Sequence, residues 1–265
     1  MNIYGAIGYI LLNKNNSNIL ILSDKHDKLE KCDNYIKVDQ WLKTKFVSST
    51  ILLEEVPREN VEIKGLWPDG EHTESLKNLY LDNNNIIIPI DIRPHLIPFS
   101  WEIEKIENDI ELFNYVKLID DFFCLKNNYL QKNLSHCNLE YLSQSMLGIH
   151  FIEIKKLFNN YLITNKKILF ENITKIKYSN NICLESINDI LNMIMEWYIC
   201  ALIQSNFDKP IIIHTGLFHS NNLIKLLVNK YKYSIIDSQG INYINEISNY
   251  KNGCIQINDT INKLF

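Results

Sequence analysis

The chain has 265 residues, 46% of them hydrophobic and 22% charged, with a formal net charge of −4 and a pI near 6.0. That length and apolar content suffice for the core of one large α/β domain, or of a domain carrying an insertion. The mild acidity, with lysines alternating with acids, excludes a broad basic face of the kind that holds nucleic acid through its phosphates.

The N-terminal run Met1 to Leu12 is apolar, has no charged leader or small-residue cleavage site, and is too short to cross a bilayer, so it reads as a strand. The turn-forming Asn13-Lys14-Asn15-Asn16-Ser17 follows, and Ile7 to Leu12 and Asn18 to Leu22 then pair as an antiparallel hairpin. Asn18 to Leu22 is also the first of four short apolar strands that end in chemistry-bearing residues. It runs into Ser23-Asp24-Lys25-His26. Thr50 to Leu53 ends in Glu54-Glu55, and Ile86 to Ile90 ends in Asp91-Ile92-Arg93-Pro94. The fourth, Pro210 to His214, is rich in β-branched residues, as buried parallel strands are, and turns through Gly216-Leu217-Phe218-His219 into a helix carrying Leu223, Leu226 and Leu227.

Between the third and fourth of these strands the pattern becomes helical. Ile103, Ile106, Ile110, Phe113, Val116, Ile119 and Phe122 recur at three- and four-residue steps, a second helix spans about Leu139 to Leu162, and a third spans about Leu184 to Gln204. The third is apolar nearly all round and is expected to be buried. Later strands are expected at Tyr233 to Asp237 and Gly253 to Ile257. The expected fold class is therefore α/β: one domain over 1–265 with a mixed, largely parallel sheet, flanking helices, and a helical layer or cap inserted at 101–207. The loop from Lys64 to Thr73 is a candidate lid.

Open α/β sheets bind ligands beyond the carboxyl ends of their strands, so the four strand ends nominate a site. His26 and His219 are the leading candidates, because a polar ring at the end of a buried strand must find partners there. Glu54 rather than Glu55 is expected at the rim, since adjacent strand residues face opposite ways. Arg93 would bind a substrate anion or pair with Asp91 or Glu54 as an architectural ion pair. Gly216 is expected to permit the strand-to-helix bend, and His214 is read as a core histidine donating to a backbone carbonyl. His72, His95, His136 and His150 lack any such context. Together the rim residues form a kit for activating water, directly or through a divalent metal ion, and for stabilising an anion.

This arrangement resembles the superfamily that groups erythromycin esterases, ChaN-like haem-binding lipoproteins, TraB proteins and the Tiki proteases. Gly216-Leu217-Phe218-His219 is similar to that superfamily's second Gly-x-x-His motif, Leu53-Glu54-Glu55 to its strand-end glutamate, and Asp91-Ile92-Arg93-Pro94 to its arginine motif. The first motif departs from the pattern, with Ser23 where the superfamily has glycine and Asp24 inside it. The resemblance implies a hydrolase of esters or peptides, with His26, Glu54, Arg93 and His219 catalytic, and with a divalent metal on His26, Glu54 and His219. Asp24, Asp91 and Gly216 would contact a small-molecule or peptide substrate.

Two other readings stand beside it. Asp24-Lys25-His26 also resembles the Asp-x-His opening of calcineurin-like metallophosphoesterases, although that family's Gly-Asp-x-x-Asp and Gly-Asn-His motifs are missing. A catalytically silent binding or virion-associated protein of the same fold is the other. Six scattered cysteines, Cys32, Cys124, Cys137, Cys183, Cys200 and Cys254, indicate neither a zinc knuckle nor a dense disulfide scaffold, and favour a reducing compartment. Heavy use of isoleucine, asparagine and lysine is the composition of an AT-rich genome, such as that of a large DNA virus of protists or a unicellular parasite. A cytoplasmic protein is expected, in the host or the virion if viral.

Overall fold

A computed structural model describes residues 1–57, 71–96, 112–124, 126, 145–164, 182–205, 208–247 and 251–265. The fold class is α/β, with a six-stranded mixed sheet, mostly parallel, flanked by helices. The chain divides into two compact units, one of residues 1–56, 67–90 and 206–265, the other of 57–66 and 91–205.

The first unit holds both sheets. In chain order its strands are β1 (Asn2–Tyr4), β2 (Gly8–Lys14), β3 (Ser17–Asp24), β4 (Tyr35–Lys37), β5 (Thr50–Leu53), β6 (Ile87–Pro89), β7 (Ile211–Gly216), β8 (Ser234–Gly240) and β9 (Cys254–Gln256). The main sheet runs β6-β5-β7-β3-β2-β8, parallel from β6 to β3 and antiparallel at β2 and β8. Central β7 is buried on both faces, as its Ile211-Ile212-Ile213 run requires. The β2–β3 hairpin forms as expected, turning at Asn15 and Asn16, both in the left-handed region that asparagine tolerates. Edge strand β8 is exposed along most of its length, including Ile235 and Ile236.

The N-terminal run is two strands rather than one. It breaks at Gly5, whose φ of +107° and close approach to Val38 exclude a side chain. β1 then joins a small separate sheet, β4-β1-β9, instead of extending the hairpin. The strand expected at Gly253 to Ile257 is therefore in this second sheet. Cys32 and Cys254 form a disulfide beside it, across 222 residues of sequence. That bond departs from the expectation of a reducing compartment.

Helices α1 (Val38–Lys43) and α2 (Glu71–Asp82) belong to the first unit and pack together. The second unit contains α3 (Arg93–Leu96), α4 (Leu112–Phe123), α5 (Met146–Thr164) and α6 (Ile182–Ser205). The parts of the first two expected helices at 101–110 and 139–144, and the expected lid at 64–70, lie outside the described residues. α6 is the apolar third helix, with Leu191, Ile194, Met195, Trp197, Tyr198 and Ile199 all buried. Its Trp197 packs edge-on against Phe122 of α4 and close to Phe151 of α5, and its indole N–H donates to the Leu147 carbonyl. Among the described residues no helix is long and apolar enough to cross a membrane.

After β7 the chain enters α7 (Leu217–Lys225), which passes into one π-turn at Leu226–Lys230 before β8. A final helix α8 (Asp259–Leu264) is capped by the Asn258 side chain, which accepts from the Ile261 amide.

Candidate functional site

Strand register brings the site together. Parallel pairing sets Asp24 of β3 opposite Gly216 of β7, and Leu53 of β5 opposite His214 of β7. Asp24, Glu54 and Gly216 therefore end three adjacent strands at one edge. His26 follows Asp24 by two residues, and His219 lies on the first turn of α7, three residues past Gly216.

Glu54 is the hub. Its Oε2 accepts from the Thr215 hydroxyl and the Gly216 amide, both at 2.5 Å, where the amino end of α7 favours negative charge. His26 Nε2 is 3.6 Å from Oε2, and His219 Nε2 is 3.7 Å from Oε1. One carboxylate thus lies between two imidazoles. Glu54, His219 and Asp24 are buried, and the His26 side chain is 22% exposed. These strand-end residues are largely covered, and among them His26 is the most accessible.

Asp24 sits behind His26. Its carboxylate accepts from His26 Nδ1 at 2.9 Å and from His72 Nε2 at 2.9 and 3.1 Å. Burial opposes its charge, but the two imidazole donors prevail and hold its pKa well below the usual carboxylate range. Burial likewise opposes the charged form of His26, and the Asp24 and Glu54 carboxylates prevail, raising its pKa to about 10. His26 is accordingly cationic at neutral pH.

These opposite shifts give a pH prediction. Asp24, depressed when folded, stabilises the fold above its ordinary value near 3.8 and loses that contribution as the solution is acidified. His26, raised when folded, contributes fully below its ordinary 6.5 and loses that contribution as pH rises through about 10. Stability should peak between roughly pH 4 and 6.5 and fall on the alkaline side. Denaturant titrations from pH 4 to 10 check this, and His26→Gln should flatten the alkaline fall; an unchanged slope would assign it to other groups.

His214 takes the structural place expected of it. Its Nε2 donates to the Gly5 carbonyl at 2.8 Å, and burial lowers its pKa. His72, by contrast, has no context in the sequence, yet the structure places it buried on Asp24 at the start of α2. No strand end announces it; the only sequence signal is its position in the candidate lid. Glu55 also differs from expectation. β5 stops at Leu53, so strand alternation no longer governs the pair, and both glutamates line a small pocket with Asp24, His26, Thr73 and Leu76.

Gly216 is needed for space rather than for its backbone angles. Its φ of −56° and ψ of 150° suit any residue, but a Cβ there would lie 2.8 Å from His26 Nε2 and 3.3 Å from Glu54 Oε2. Gly216→Ala should displace the His26 ring from Glu54 while changing stability by no more than about 1 kcal/mol, because the imidazole can swing towards solvent. A melting curve and the imidazole NMR shifts of His26 check this. Wild-type shifts, or a collapse of the fold, would contradict it.

Asp91 and Arg93 belong to the second unit. Arg93 is buried, with Nε and Nη2 on the two Asp91 oxygens at 2.8 and 2.9 Å and Nη1 on Asn192 at 2.8 Å. This bidentate pair is the architectural arrangement weighed for Arg93.

The donors proposed for a metal are of suitable types, two imidazoles and a carboxylate. His26 also has its second nitrogen on a carboxylate, as ligating histidines do. Among the described residues, however, no group of three or more His, Cys, Asp or Glu side chains is arranged to hold an ion. In comparisons with known proteins, the chain matches no family model, no curated protein and no solved structure.

Proposed function

We propose that this protein is a hydrolase of esters or peptides, of the kind found among erythromycin esterases, ChaN-like, TraB and Tiki proteins. The observation that carries this reading is the Glu54 carboxylate set between His26 Nε2 and His219 Nε2 at the ends of adjacent parallel strands. His219 accepts a proton from the attacking water while Glu54 orients that water and balances the charge on the ring. His26, held cationic by Asp24 and Glu54, donates a proton to the leaving group. The resemblance assigns Arg93 to the substrate anion, and that role rests on the resemblance alone.

A panel of p-nitrophenyl esters, short peptides and phosphoesters tests the proposal. Ester or peptide hydrolysis that is lost in His219→Ala supports it. Phosphoester cleavage alone would favour the metallophosphoesterase reading, and hydrolysis of nothing would favour a binding or virion protein.

A divalent ion on His26, Glu54 and His219 is the second reading, favoured by the Asp24–His26 contact, which orients the ring as a ligand's is oriented. Metal analysis of purified protein decides between them. Stoichiometric metal that is lost in His219→Ala supports the ion, whereas full activity in chelator supports the side chains acting alone.

A further inference from the structure

We propose that His72 is a positioning residue, which clamps the Asp24 carboxylate so that His26 presents Nε2 to Glu54. The proposal deepens the hydrolase reading and rests on it, but the clamp can be measured without any substrate.

Three observations combine. Asp24 is fully buried at the end of β3, and its carboxylate hydrogen-bonds two side chains, His26 and His72. An ionised carboxylate only accepts, so both imidazoles must donate, His26 from Nδ1 and His72 from Nε2. His72 Nε2 reaches both Asp24 oxygens, at 2.9 and 3.1 Å, whereas His26 Nδ1 bonds Oδ2. His72 therefore fixes the rotation of the carboxylate and gives His26 one oxygen in one direction. Once Nδ1 is committed to Asp24, the opposite ring nitrogen is the one turned to Glu54, 3.6 Å away.

His72 is itself built to stay in place. It is 2% exposed, and its Nδ1 has no hydrogen-bond partner among the described residues, so Nε2 carries its polar contact. The preceding residue, Glu71, is held by Lys31 at 2.6 Å and Lys37 at 2.9 Å, and the Tyr4 ring meets His72 edge-on. Leaving Nδ1 unsatisfied in the interior is costly, and the contact of Nε2 with both Asp24 oxygens is what offsets that cost.

The test uses His72→Gln, whose amide nitrogen matches the reach of Nε2, and His72→Phe, which keeps a ring but removes the donor. Two readouts are followed. The first is the hydrogen-bonded Nδ1–H signal of His26 in imidazole NMR spectra. The second is hydrolysis of p-nitrophenyl acetate. The phenylalanine variant should lose the His26 signal and roughly 10- to 100-fold in kcat with little change in KM, the range seen when an orienting partner is removed. The glutamine variant should restore both. Wild-type protein gives a further check that needs no variant, since His72 must appear as the Nε2–H tautomer. A Nδ1–H tautomer, or a folded phenylalanine variant that keeps the His26 signal, overturns the proposal. If the wild-type enzyme hydrolyses nothing yet the NMR pattern holds, the hydrolase reading fails and the clamp stands.

Discussion

Replacing Cys32 or Cys254 by serine should destabilise the protein by up to about 5 kcal/mol, because the bond joins residues 222 apart in sequence and so constrains the unfolded chain strongly. For a chain of this size that corresponds to a melting temperature lowered by roughly 10 to 20 °C. The effect should be specific. Cys124 is an exposed thiol outside this bond, so Cys124→Ser should leave the midpoint in reductant-free buffer high. The loss should also extend to the site, because Cys32 follows His26 closely and the intervening segment is pinned to β1 and to the stretch before β9. Tyr4 donates to the Leu29 carbonyl, the Glu30 amide donates to the Lys251 carbonyl, and the Glu30 carbonyl accepts from the Gly253 amide. Denaturant midpoints with and without a dithiol provide the measurement. Equal midpoints in oxidised and reduced protein would show that this bond does not form in solution.

The limits of sequence reading are visible in those same residues. Asp24, Glu54 and Gly216 can be placed side by side because each ends an apolar strand of parallel type, and parallel register then fixes them at one edge. Strand periodicity carries that information. The Cys32–Cys254 pair cannot be read in the same way, because the sheet that brings it together has strands of only three residues. A strand at Gly253 to Ile257 is expected from the sequence, but its partners are not, because β1 leaves the N-terminal run at Gly5 and β4 is only three residues long. His72 escapes for a related reason. It reaches Asp24 across 48 residues from the first turn of a helix, and helix periodicity reports which face is buried, not which buried polar group it meets. The long helices of the second unit are legible because Phe122, Phe151 and Trp197 fall on apolar faces long enough to show a period. For Arg93 the sequence leaves a substrate anion, Asp91 and Glu54 as alternatives, and the structure pairs it with Asp91, two residues away.

On the proposed hydrolase reading, Glu54→Gln is expected to reduce activity by about 10² to 10⁴-fold, the usual contribution of a positioned acid–base group, while leaving the fold close to native. The amide preserves the shape of the carboxylate, and its carbonyl oxygen can still accept from Thr215 and Gly216. What disappears is the negative charge that His26 and His219 share. Histidine-to-alanine variants discriminate less well. His219 is buried, so His219→Ala removes packing as well as chemistry and should cost roughly 1 to 3 kcal/mol of stability. His26→Ala leaves Asp24 buried with His72 as its remaining imidazole donor, and should be destabilising in the same range. Glu54→Gln separates the two effects: activity that falls a hundredfold or more with a nearly unchanged melting curve identifies Glu54 as catalytic, whereas a large loss of stability with full activity per folded molecule would make the Glu54 cluster architectural.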